Sequence, residues 1–89
     1  MQEYRFTITA ENGMHARPAG LLANSLRRFS SDIEVSTSEK KADGKRLLSL
    51  MSLGAARGTE LTFRIDGADE LEACGEIEKL CREHLSGGV

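Results

Sequence analysis

The sequence predicts an α+β fold: an open-faced sandwich with helices layered on one side of a largely antiparallel sheet. Three observations carry the prediction. Each clear strand segment alternates apolar with polar residues, so each has one buried and one wet face. Each helical segment carries its apolar residues in one stripe. The elements follow one another as β-α-β-β-α-β-α, with no repeat, linker or low-complexity tract between them.

The first strand reads from Tyr4 to Thr9, with Tyr4, Phe6 and Ile8 alternating with Arg5, Thr7 and Thr9. Asn12-Gly13 is a strong turn pair. A helix follows from Ala16 to about Arg27, and Ala19, Leu22, Ala23 and Leu26 recur on one face. Arg27-Arg28 falls in its last turn, where cations suit the negative end of the dipole. Ser30-Ser31-Asp32 marks a turn, and Ile33, Val35 and Thr37 form a second strand with Glu34 and Ser36. Lys40-Lys41-Ala42 reads as a short third strand on a hairpin without an Asn-Gly signal, its lysines suited to an exposed edge.

Asp43-Gly44 breaks the pattern. The segment from Leu47 to Leu53 is a short helix ending at Gly54, with more apolar side chains than one core stripe needs. Either it is fully packed, or Leu47, Leu48 and Met51 leave an apolar patch on the surface, as binding faces often do. Leu61, Phe63 and Ile65 form the fourth strand. The last helix runs from about Glu70 to His84, with Asp69 and Glu72 spaced as a capping box. Its stripe is read as Leu71, Cys74, Ile77, Leu80, Cys81 and Leu85. Gly75 inside it costs ~1 kcal/mol against Ala, which close packing would explain. Residues 86–89 are expected to fray.

A chain of 89 residues fits one domain, here residues 1–89, with a modest core. A net charge of -2 gives no bulk attraction to nucleic acid or to a membrane surface. No apolar run is long enough to insert into a bilayer. Cys74 and Cys81 lie two turns apart on one helix, ~10 Å along its axis. That spacing is too long for an undistorted disulfide. Reduced core thiols fit a cytoplasmic protein, and no ligand pattern supports a metal.

His15 is the residue of chemical interest. It stands where the first helix begins, and first-turn amides have no internal partners. The helix dipole adds roughly half a positive charge at that end. Together they form an anion site made of backbone, here the amides of Ala16 and Arg17. Pro18 suits a first turn, since its missing N–H costs nothing there. The Arg17 guanidinium offers forked donors that match phosphate oxygens. A neutral imidazole is a nucleophile at neutral pH. The arrangement could accept a phosphoryl group, could simply bind an anion, or could be only a helix start.

Gly13-Met14-His15-Ala16-Arg17-Pro18-Ala19 resembles the active-site signature of the HPr family. These are the histidine-containing phosphocarriers of the bacterial phosphoenolpyruvate:sugar phosphotransferase system. Thr7-Ile8-Thr9-Ala10 precedes the histidine as in that family. Lys45, Met51-Ser52-Leu53-Gly54 and Arg57-Gly58-Thr59-Glu60 resemble its second signature, and Gly67-Ala68-Asp69-Glu70 its last helix start. The resemblance covers nearly the whole chain.

It implies a four-stranded antiparallel sheet with three helices on one face. It implies a stoichiometric carrier rather than an enzyme, without cofactor or metal, monomeric by default. His15 would accept a phosphoryl group on Nδ1 from phosphorylated enzyme I and pass it to IIA domains of sugar permeases, with Arg17 steadying the phosphate. Ala16, Arg17, Gly20, Asn24, Arg27, Leu47, Leu48 and Met51 would form the docking face. Arg46 stands where many relatives carry a regulatory serine; it has no hydroxyl to phosphorylate and is a poor N-cap. The alternatives are a regulatory paralogue: a protein-docking regulator, or a member of a nitrogen-related or dihydroxyacetone-kinase-linked chain.

Overall fold

A computed structural model describes residues 1–87. The elements are β1 (Gln2–Thr7), α1 (Ala16–Leu26), β2 (Asp32–Ser36), β3 (Lys41–Asp43), α2 (Leu47–Met51), β4 (Glu60–Asp66) and α3 (Glu70–His84). The four strands form one antiparallel sheet in the order β1-β4-β2-β3, with three helices, as expected. Strand β4 lies inside the sheet, between β1 and β2, and its alternating Leu61, Phe63 and Ile65 are all fully buried. Phe63 lies opposite Tyr4 on one side and Val35 on the other. Its ring centroid is 6.4 Å from that of Tyr4, within range of a favourable aromatic pair.

The opposite face of the sheet is wet. There Glu3, Arg64 and Glu34 share one rung, with Arg64 3.3 Å from Glu3 and 3.6 Å from Glu34. Exposed pairs like these contribute little, and their use is to keep this face soluble. The three-residue β3 does form, at the sheet edge. Its Asp43 amide donates to the Ser49 hydroxyl at 2.9 Å, which ties it to α2.

Helix α1 buries Pro18, Ala19, Leu22, Ala23 and Leu26, the stripe that the spacing predicts. It stops at Leu26, so Arg27 is its C-cap and Arg28 lies beyond it, not in the last turn. Helix α3 has the predicted bounds but a different buried stripe: Ala73, Ile77, Leu80 and Cys81. Leu71 is exposed, because it stands two residues, or about 200°, from Ala73 around the axis. Cys74 is half-buried, and Leu85 is fully buried just past the helix. Gly75 is exposed and a Cβ there would meet nothing within 4 Å, so close packing does not explain it.

The capping box expected at Asp69 does not form. Asp69 is the N-cap residue, but its side chain caps nothing on its own helix. Its carboxylate instead accepts from the Ser31 hydroxyl at 2.5 Å and from the Ser30 and Ser31 amides at 2.9 and 3.0 Å. The turn before β2 supplies three donors to this one carboxylate, where an N-cap side chain ordinarily accepts from the N2 or N3 amide alone. The Ser31 hydroxyl and these amides hold the Asp69 carboxyl down to about 2. At the other end of the helix, Gly87 is not frayed: its amide donates to the Thr9 hydroxyl at 2.9 Å. Gly88 and Val89 lie outside the described residues.

Both cysteines are free thiols, and burial pushes each up, Cys81 to about 12. No helix among the described residues is long and apolar enough to cross a membrane.

Candidate functional site

His15 is the N-cap of α1, in extended backbone with φ -89° and ψ -175°. It is exposed, as are Ala16 and Arg17 after it. Its side chain makes no capping hydrogen bond, so the ring is free for another partner. Its carbonyl accepts from the Ala19 amide at 3.1 Å and so opens the helix. Among the described residues, nothing accepts from the Ala16 or Arg17 amides. Pro18 is buried in the first turn, where it adds no unpaired donor. The helix thus presents two free amides and a positive dipole end next to an exposed imidazole.

Local packing fixes this loop. Gly13 is buried with φ 62°, a conformation that favours glycine. A Cβ on Gly13 would lie 2.5 Å from the Ala55 carbonyl oxygen and 2.8 Å from Ala56 Cα. That close approach lets the Met14 amide donate to the Ala55 carbonyl at 2.8 Å. Met14 itself is buried in the core. The residue before His15 is therefore anchored both by its backbone and by its side chain. Sequence reasoning read Gly13 as a turn residue and did not find its brace at Ala55 and Ala56. A buried small residue beside a turn is the only local signal of such a contact.

The remaining predicted residues spread from α1 to α2. Gly20 is half-buried and leaves open space where a Cβ would stand. Asn24 and Arg27 are exposed and bond to each other, the Arg27 guanidinium donating to the Asn24 side-chain oxygen Oδ1. Arg27 also donates to the Lys45 carbonyl at 3.3 Å, and Lys45 Nζ donates to the Phe29 carbonyl at 2.6 Å. These two bonds join the end of α1 to the start of α2. Helix α2 then buries only Leu50, leaving Leu48 79% exposed, and Leu47 and Met51 37% and 39% exposed. The surface alternative for these side chains is the observed one. Arg27, Lys45, Arg46, Leu47 and Leu48 line a shallow groove. Arg46 is the N-cap of α2 and makes no side-chain cap bond, as expected of an arginine.

Charge is sorted along the chain to match. Residues 12–31 and 44–59 carry His15, both of these helices and the brace at Ala55. They hold six of the twelve Lys and Arg residues and none of the fourteen Asp and Glu residues. Of those six cations only Arg28 forms an ion pair among the described residues, with Glu76 at 3.1 Å. The others, Arg17 and Arg27 included, are uncompensated.

The chain was compared with known families and structures. The family model "PTS HPr component phosphorylation site" matches residues 2–83. A histidine-containing phosphocarrier protein from Mycoplasma is 33% identical, with a TM-score of 0.90, covering 92% of this chain and 93% of that one. HPr-C-His from Thermoanaerobacter tengcongensis is 36% identical, with a TM-score of 0.84 and 90% of each chain covered. The Bacillus subtilis catabolite repression protein Crh, described as a swapped dimer, is 33% identical with a TM-score of 0.73, covering 96% of this chain and 98% of that one. With the family model spanning nearly all of the sequence and the same open-faced sandwich in these structures, this chain belongs to the HPr phosphocarrier family.

Proposed function

We propose that this phosphocarrier accepts a phosphoryl group on His15 Nδ1 from phosphorylated enzyme I. It then passes that group to a histidine on a IIA domain of a sugar permease. The observation that carries the reading is the exposed, uncapped imidazole of His15 beside the unpaired amides of Ala16 and Arg17.

The neutral Nδ1 attacks phosphorus as the P–N bond to the donor histidine breaks. No net proton moves, because the donor imidazole leaves neutral and the His15 ring keeps its other N–H. The group carries roughly -1.5 to -2 charge, as other protein phosphates do. The Ala16 and Arg17 amides and the Arg17 guanidinium receive its oxygens. An exposed dipole contribution of ~0.3–1 kcal/mol suits a group that must leave again. The protein acts stoichiometrically, as a cytoplasmic carrier rather than an enzyme, and works as a monomer.

The docking face consists of Ala16, Arg17, Gly20 and Asn24, with Arg27, Leu47, Leu48 and Met51. Its exposed apolar centre with uncompensated cations beside it suits acidic partners that bind briefly through a small interface. The 33% identity to Crh makes a regulatory paralogue the second reading. Against it stand the retained His15 and the arginine at 46, where a phosphorylation-controlled regulator would keep a hydroxyl.

The test is incubation with phosphoenolpyruvate and enzyme I, followed by intact mass. One acid-labile phosphoryl group is expected on the wild type and none on His15→Ala, with the fold of the variant intact by circular dichroism. A wild-type protein that gains no group overturns the proposal. Capture of a transcription factor independently of His15 would favour the regulator.

A further inference from the structure

We infer that Thr9 and Gly87 are positioning residues for His15, clamping the tail after α3 onto the loop that carries the imidazole; this rests on His15 being the phosphoryl acceptor. Strand pairing of β1 ends at Thr7. Seven residues separate it from His15. The Ile8 amide still reaches the Thr59 carbonyl, at 2.9 Å. The next two amides, of Thr9 and Ala10, both turn to a single acceptor, the Leu85 carbonyl, each at 3.0 Å. The Gly87 amide returns the contact to the Thr9 hydroxyl at 2.9 Å.

The seat of Gly87 has no spare room. A Cβ there would stand 2.3 Å from the Thr9 carbonyl oxygen and 2.9 Å from Ala10 Cα. Both are backbone atoms, which cannot swing aside as a side-chain end can. The clamp then leads directly to the site. The Ala10 carbonyl accepts from the Gly13 amide at 3.1 Å, and Met14 after it is held at Ala55. Met14 is bonded covalently to His15. The tail thus fixes one end of a short relay and Ala55 the other, and His15 projects from its end. The clamp ties residues 78 positions apart. A displacement of about 1 Å can cost two orders of magnitude in a positioned reaction. Coupling is reciprocal, so a phosphoryl group that needs the loop in place tightens the tail in turn.

Thr9 is exposed, so Thr9→Val alters a hydroxyl without touching the core. The test compares wild type, Thr9→Val, Thr9→Ser and Gly87→Ala by amide hydrogen exchange. Phosphoryl capture from phosphoramidate is measured alongside. That small donor moves its phosphoryl group to the imidazole, its own P–N bond breaking and ammonia leaving, and it needs no docking face.

In Thr9→Val the Met14 amide should exchange about fivefold faster, the equivalent of the ~1 kcal/mol of one intramolecular bond. Capture at His15 should slow by a similar factor. Gly87→Ala should do more, Thr9→Ser should restore both, and exchange at Ile77 in α3 should not move. Unchanged Met14 exchange and unchanged capture in both Thr9→Val and Gly87→Ala overturn the clamp. Equal acceleration at Met14 and Ile77 also overturns it, since the residues would then serve stability alone. A wild type that captures no phosphoryl group refutes the acceptor role of His15 instead, while the exchange result still judges the clamp.

Discussion

Gly13→Ala probes the link between packing and site most directly. The native φ of 62° lies in the left-handed region. There an L residue costs roughly 1–2 kcal/mol. The new Cβ would come within 2.5 Å of the Ala55 oxygen, so the two loops must separate. Separation breaks the Met14–Ala55 bond and leaves a buried amide short of its partner, which costs about 1–3 kcal/mol. Together these give a loss of about 3 kcal/mol. For a domain of this size each kcal/mol lowers Tm by roughly 4–8 °C, so the melting point should drop by roughly 12–24 °C. Urea unfolding followed by circular dichroism measures the loss, with an unchanged m-value excluding a change of denatured state. Phosphoryl uptake should fall more steeply than the folded fraction, because His15 is the next residue but one. A Gly13→Ala protein as stable as wild type, with Met14 still protected from exchange, would refute the reasoning.

Three further outcomes are expected. Gly75→Ala should stabilise the protein by ~1 kcal/mol in the same urea titration, since the position is helical, exposed and unobstructed. Leu48→Asp should leave stability within about 0.5 kcal/mol, because the side chain is exposed. It should weaken uptake from enzyme I by tenfold or more in apparent KM, as measured by initial rates. Asp69→Asn bears on pH. The folded carboxyl titrates at about 2, below its ordinary value of 3.8, so the carboxylate stabilises the fold above that ordinary value. The contribution disappears as pH falls from about 4 through about 2. Wild type should therefore melt higher than Asp69→Asn at pH 7, and the two Tm curves should converge toward pH 2.

What the sequence made legible was local or periodic. Alternation at Leu61, Phe63 and Ile65 marked the fourth strand, though not its place inside the sheet. Spacing at Ala19, Leu22, Ala23 and Leu26 oriented α1 and left His15 at its start. The surplus of apolar residues from Leu47 to Leu53 left a packed helix and a surface patch both open, and the structure decides for the patch, because the observed five-residue helix buries only Leu50. The misreadings share a cause. Asp69 looked like a cap from the residues beside it, but its donors lie at Ser30 and Ser31, distant along the chain. Leu71 drew attention by hydrophobicity, yet the axis phase set by Ala73 and Ile77 decided which side chain was covered. The holds at Ala55 and Leu85 are backbone carbonyls, which any residue type supplies equally. No side-chain pattern could mark them.

The near-neutral total conceals an uneven surface, with uncompensated cations along the face that α1 shares with α2 and the acids elsewhere. In an electric field such a body experiences a torque well before contact, so an acidic neighbour would receive it already turned with this helical face in front. The same polarity should let anion- and cation-exchange resins both retain the protein at low salt near pH 6, each gripping a different pole.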